Sequence, residues 1–168
     1  DIHSRMGGEL AVAVFDKTAS NPAARIGAAI ARFAEQAPEV PLQLHVASIN
    51  AIERGVIDGA YQVGIIPAHR NSPSLRYADL FSETMLLYCG AQHPLFGADC
   101  AALGWDALRG YDFAGLGYHS PNMALSHSAN LPRKATGFDQ EAIATLILSG
   151  RFLGFLPDHY AELFERRG

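Results

Sequence analysis

Two hydrophobic rhythms run through the chain. Residues 9–15 (ELAVAVF) are almost wholly apolar and include Val12 and Val14, as expected of a strand buried on both faces. Over 22–36 the rhythm becomes helical. Ile26, Ile30 and Phe33 recur at i, i+4, i+7 among alanines, with Asn21 as the expected N-cap and Pro22 in the first helical position. Pro38 and Pro41 end that helix, and LQLHV at 42–46 alternates with the period of a strand. Ile52, Val56 and Ile57 then mark a helix over 50–57, stopped by Gly59, and YQVGII at 61–66 is a third strand closed by Pro67. The order β-α-β-α-β with short connections implies right-handed crossovers and a parallel sheet.

The second half repeats the theme after a loop at 69–74. A strand is predicted at 85–90 (MLLYCG), a bend at His93-Pro94-Leu95-Phe96, a helical turn at 105–108 and a strand at 111–116. A short helix at 121–128 has Ser120 as cap and Pro121 in its first position; a longer one at 140–149 is capped by Asp139 and ended by Gly150. The strand 152–156 (FLGFL) is stopped by Pro157, and Asp158 caps a last helix. The pattern is two α/β units in series, joined near residues 79–84. In open α/β sheets ligands gather at the carboxyl ends of strands, where helix N-termini offer free N–H groups. Thr18, Ser20, Ser48, Asn50, His119, Ser120 and Asp139 are the polar residues expected there. Ser20, Asn21, Ser120 and Asp139 also have a plainer reading as helix caps, worth about 1 kcal/mol each and binding nothing.

Composition narrows the function. With 168 residues, 49% hydrophobic and 18% charged, the chain is an ordinary folded domain rather than a disordered one, and no apolar run reaches the roughly 20 residues of a membrane helix. Only two lysines, Lys17 and Lys134, accompany scattered arginines, and the net charge is −4, so nucleic-acid binding by this chain alone is not expected. Arg166-Arg167, beside Glu162 and Glu165, reads as a solvated helix end. Cys89 and Cys100 lack metal-ligand or redox spacing and read as reduced thiols of a cytosolic protein, Cys89 as a small buried hydrophobe. The opening DIHSRM has no apolar signal region, and its first residue is not Met, which fits an excised fragment.

Catalytic motifs are not found: there is no G-x-S-x-G elbow, no P-loop and no H-E-x-x-H. Gly115-Leu116-Gly117-Tyr118-His119-Ser120 begins like a dinucleotide fingerprint but has Ser in place of the third Gly. His119 and His127 read as a loop and a surface histidine, so neither a metal nor another cofactor is implied.

Taken in order, the motifs resemble the effector-binding domain of LysR-type transcriptional regulators. Gly8-Glu9-Leu10-Ala11-Val12 is similar to the family's opening strand, and FAEQAPEV at 33–40 to the segment after its first helix. Asn50-Ala51-Ile52-Glu53 through Gly59, followed by Val63-Gly64-Ile65, matches its next helix-strand unit. His93-Pro94-Leu95 matches its HPL bend, and Leu148-Ser149-Gly150 with Gly154-Phe155-Leu156-Pro157 its G-x-G-[IF]-L-P close.

The resemblance implies an α/β fold of two Rossmann-like lobes similar to type-2 periplasmic binding proteins, with a small-molecule effector in the cleft between them. Lobe I would span 1–79, lobe II 80–157, and 158–168 would open a terminal segment whose remainder is absent. It further implies a cytoplasmic homodimer or homotetramer that is neither an enzyme nor membrane-bound, and that reaches DNA only through a missing amino-terminal winged helix-turn-helix. The second, alanine-rich face of the first helix would pack on a partner subunit. Thr18, Ser20, Ser48 and Asn50 from the first lobe, and Tyr118, His119, Phe138 and Asp139 from the second, are the expected effector contacts. One departure stands out: Gln62 occupies the position where the family usually carries Asp. The competing reading is a transporter's solute-binding protein, which shares the two-lobe architecture.

Overall fold

A computed structural model describes residues 8–68, 70–118 and 128–168. The chain divides into two compact units, Asp1–Ser82 and Glu83–Gly168. The short helix expected at 121–128 and its cap Ser120 lie, but for Ser128, outside the described residues.

In the first unit, strands β1 (Leu10–Val14), β2 (Leu42–Val46) and β3 (Val63–Ile65) alternate with helices α1 (Ile26–Gln36) and α2 (Ile49–Asp58). The sheet order is β2-β1-β3 and every pairing is parallel, as the β-α-β-α-β reading requires. Register puts the smallest residues of β1 and β3 on one face. Val12 lies opposite Leu44 and Val63, whereas Ala13 lies opposite His45 and Gly64. Onto the small-residue face packs α2: a Cβ added at Gly64 would sit 2.5 Å from Ile52 Cγ2, and Ile52 is only 1% exposed. The absent side chain is what lets helix and strand approach.

Helix α1 begins later than expected. Asn21 does act as a cap, but of a separate turn: Ala23 N donates to its Oδ1 (3.0 Å) and Ala24 N to its carbonyl (3.1 Å). Arg25 then adopts φ 55°, a left-handed conformation that interrupts the helical path, so the helix starts at Ile26. The Asn21 amide Nδ2 instead donates to the Ser82 carbonyl, 3.0 Å away and 61 residues on. The stripe Ile26, Ile30 and Phe33 is half-buried, and no residue of α1 is fully buried.

The second unit contains β4 (Met85–Tyr88), a 3-10 turn (Cys100–Ala102), α3 (Trp105–Leu108), β5 (Phe113–Leu116), β6 (Arg133–Gly137), α4 (Gln140–Leu148), β7 (Leu153–Pro157) and α5 (Asp158–Glu165). Its order is β4-β7-β5-β6, with β5 parallel to both neighbours and β4 antiparallel to β7. Strand β6 was not anticipated. RKATG is polar and sits at the sheet edge, where the burial that drives hydrophobic patterning is missing. Asp158 does not cap α5 from outside; it is the first helical residue, and its carboxylate accepts from His159 N at 2.7 Å.

One contiguous core includes Phe113, Leu116, Ile143, Ile147, Leu153, Phe155 and Tyr160, with Phe113 and Phe155 edge-to-face at 5.9 Å. Helix α4 lies against Gly137 and Gly154, where added Cβ atoms would meet Ile143 and Ile147 side chains at 2.8–2.9 Å. Gly90 approaches the Ile147 backbone carbonyl so closely that no side chain fits. Entry into β4 is fixed by α5: His159 Nε2 lies 2.8 Å from Glu83 Oε2, and Asp158 N donates to the Thr84 carbonyl at 3.0 Å.

Candidate functional site

Parallel pairing places the expected contacts of the first unit at one sheet edge. Thr18 and Ser20 follow the carboxyl end of β1, and Ser48 and Asn50 follow that of the adjacent β2. The ladder continues there, with Ala47 N donating to Val14 O (3.2 Å) and Phe15 N to Ile65 O (2.9 Å). Several of these polar groups already serve the chain. Thr18 is buried and its hydroxyl donates to the Phe15 carbonyl; Ser20 Oγ lies 3.5 Å from the Lys17 carbonyl. Ser48 is the N-cap of α2 and accepts from Ala51 N at 3.3 Å. Asn50 stands exposed in the first turn of α2.

In the second unit the carboxyl ends of β5 and β6 carry Tyr118, Phe138 and Asp139, while His119 lies outside the described residues. Asp139 caps α4 by accepting from Ala142 N at 2.7 Å, the plainer of its two expected roles. Tyr118 is half-buried beside the core. Phe138 is 72% exposed, yet its ring lies over Gly117, at the place a Cβ would take. Gly117 N donates to Gly137 O at 2.8 Å, so the ladder runs one residue beyond Leu116 and sets Gly117 opposite Phe138.

Arg133, the first residue of β6, reaches toward the same edge with its guanidinium, although sequence reasoning passed it over. Its Nη1 donates to the Leu116 carbonyl at 2.9 Å, and its guanidinium lies over Gly115, with Nε, Cζ and Nη2 at 2.5–2.7 Å from where a Cβ would be. The signal available beforehand was the pair Gly115 and Gly117 two residues apart in a strand, which leaves one face without side chains for something else to fill.

Three groups have displaced proton affinities. Burial lowers the His93 imidazole below its ordinary value; the ring lies tilted against Tyr111, centroids 5.3 Å apart, and its Nδ1 accepts from Leu95 N at 3.1 Å. Burial pushes the Cys89 thiol up, with a smaller push from Cys100. The Tyr88 hydroxyl is raised to about 12 by burial and then by Glu165 and Asp158. Among the described residues no three His, Cys, Asp or Glu side chains gather to hold a metal, and no helix is long and apolar enough to cross a membrane.

Comparison with known proteins gives a consistent picture. The profile of the family described as the LysR substrate binding domain matches residues 3–168. The HTH-type transcriptional activator BauR of Pseudomonas aeruginosa is 33% identical over 161 residues, covering 96% of this chain; the chain spans 53% of that relative's length. Among solved structures, the effector-binding domain of QuiR in complex with shikimate superposes with a TM-score of 0.72 at 13% identity, over 90% of this chain and 74% of the other. Full-length CbnR complexed with its target DNA gives a TM-score of 0.66 at 20% identity, over 92% of this chain and 55% of that one.

Proposed function

The chain belongs to the LysR substrate-binding domain family, and from that membership we propose that it is the effector-sensing domain of a LysR-type transcriptional regulator, without catalytic activity of its own. The observation that carries the reading is the family match across residues 3–168. Its physical counterpart is a pair of parallel-sheet edges, each collecting loop side chains where small ligands bind in α/β folds. The eight expected contacts, Thr18, Ser20, Ser48, Asn50, Tyr118, His119, Phe138 and Asp139, stay in the proposal as the loops that meet a small metabolite. Asn50 and Phe138 support it most directly, because both stand exposed at those edges and neither is a helix cap as Ser48 and Asp139 are.

Effector binding would bias the conformation of an attached winged helix-turn-helix domain, and DNA would be reached only through that domain. A regulator of this kind works in the cytoplasm. Dimer or tetramer formation would use α1, whose Gly27, Ala28, Ala29, Ala31 and Ala34 are exposed and small enough for another helix to approach closely. The transporter alternative is set aside, because the matched family and its named relative are transcriptional regulators.

A thermal-shift screen of the chain against carboxylates, amino acids, aromatics and purines tests the reading. Sensing predicts a saturable rise for one chemical class, since ligand at about 100 times its dissociation constant adds roughly 2.7 kcal/mol. A well-folded sample that no compound stabilises, with isothermal calorimetry equally flat, overturns it.

A further inference from the structure

On β5 and β6, the face turned away from α4 is unusual at its carboxyl end. Ala114 and Leu116 share their face with Gly154 and Gly137, against which α4 packs, so Gly115 and Gly117 point to the opposite side. Neither supplies a Cβ. The space is taken by two side chains from β6 and its end: the Arg133 guanidinium over Gly115 and the Phe138 ring over Gly117. Thr136, opposite Gly115 in the register and exposed, stands on the same face. Guanidinium and ring thus lie over positions two residues apart, about 7 Å along the strand.

Each part has a chemical meaning. A guanidinium carries five N–H donors in a planar fork; the Leu116 carbonyl engages Nη1 and fixes the plane. No ion pair to Arg133 occurs among the described residues, so this cation is held in place by a neutral carbonyl and a flat backbone. Planar, charged donors in a fixed orientation recognise carboxylates. Phe138 lies over Gly117 and keeps most of its ring in solvent, an exposed apolar surface beside the guanidinium.

We propose that Arg133, Thr136 and Phe138, laid over Gly115 and Gly117, form an effector subsite for a small carboxylic acid, with the carboxylate on Arg133 and Thr136 and its apolar body on Phe138. The proposal rests on the effector-sensing reading and deepens it by naming the ligand class and the residue that selects it.

The test measures binding of benzoate, phenylacetate and 3-phenylpropionate, each beside its primary amide, to the 168-residue chain by calorimetry and thermal shift. At least one acid binds saturably while its amide is at least tenfold weaker, and Arg133→Gln weakens the acid tenfold or more while the ligand-free protein stays folded, its melting temperature lowered only by the lost bond to the Leu116 carbonyl. Arg133→Lys, which keeps the charge and loses the fork, falls between the two. Gly115→Ala keeps the arginine but displaces its guanidinium, and lowers affinity as Arg133→Gln does. Equal affinity for acid and amide, or unchanged acid binding in Arg133→Gln and Gly115→Ala, overturns the proposal. If only compounds of another class bind, the subsite is refuted and sensing stands. If neither these acids nor the broader panel binds, both fall.

Discussion

Gln62 accepts a hydrogen bond from the Ala11 backbone N–H at 2.7 Å, tying the entry of β3 to the opening strand of the chain. Its Nε2 simultaneously donates to the Gly59 carbonyl at 3.1 Å, at the end of α2, and its own N–H donates to the Ala11 carbonyl at 2.9 Å. An amide is needed for this pair of bonds, because an ionised carboxylate only accepts. The family's usual Asp is also one methylene shorter. Gln62→Glu keeps the bond from Ala11 and loses the one to Gly59, so a loss of about 0.5–1 kcal/mol is expected; Gln62→Leu leaves the Ala11 N–H without its acceptor and costs about 1–3 kcal/mol. Urea denaturation of the three proteins gives the ranking.

Gly90 has no room for even a methyl group, since the atom it faces is the backbone carbonyl of Ile147 rather than a movable side chain. Gly90→Ala therefore destabilises the second unit by about 3 kcal/mol, near the top of the range for overpacking. Gly8→Ala, with nothing within 4 Å of the added atom, is the control and shifts the melting temperature little.

Asp139 separates two roles that a single alanine would confuse. As the N-cap of α4 it contributes about 1 kcal/mol, which Asp139→Ser retains and Asp139→Ala loses. If capping is its whole task, Asp139→Ser leaves ligand affinity as it was; a loss of affinity in the stable serine variant would give it a place in binding.

His93 makes stability depend on pH in one direction. Burial lowers its proton affinity in the folded chain, and protonation would also put a hydrogen on the Nδ1 that accepts from Leu95 N. The unfolded chain therefore takes up the proton first as pH falls. The stability held by neutral His93 is complete above about pH 6.5 and is lost as pH drops from there toward the folded-state value. His93→Asn, whose side-chain oxygen can accept from the backbone two residues on, flattens the fall in melting temperature between about pH 7 and 5. An equally steep fall in that variant rules His93 out as the cause.

Cys89 and Cys100 differ in environment more than in sequence. Cys100 is exposed, whereas Cys89 is half-buried and its thiol is pushed up. Iodoacetamide at neutral pH should modify Cys100 first, and Cys89 at a comparable rate only in denaturant. Peptide mass spectrometry over a time course reads both sites.

Local chemistry was legible in advance, and contacts across the sheet were not. Gly59 and Asp139 are readable as caps because the requirement they meet lies within three residues of each, whereas Ser48, the cap of α2, reads in the sequence only as a ligand contact. Asn21 shows the limit of that logic: it caps, but the left-handed Arg25 decides that it caps a turn. The parallel β-α-β order followed from alternating periods, whereas β6 was hidden because RKATG is an exposed edge with little apolar pattern. Arg133 was missed for a related reason. Its contact with Gly115 comes from a register shift between Phe113 and Ala114, which no local spacing announces.

The crowded glycines have a consequence at the level of heredity. At Gly64, Gly90, Gly137 and Gly154 the neighbouring atoms stand where a Cβ would be. Every missense change of a glycine codon adds at least that carbon, so these positions have no conservative allele. Elsewhere in the core a lineage can drift through Val, Ile and Leu with small penalties. Here each first step must displace a packed isoleucine side chain or, at Gly90, the Ile147 carbonyl, and variation among descendants of this gene should therefore pass these four codons by.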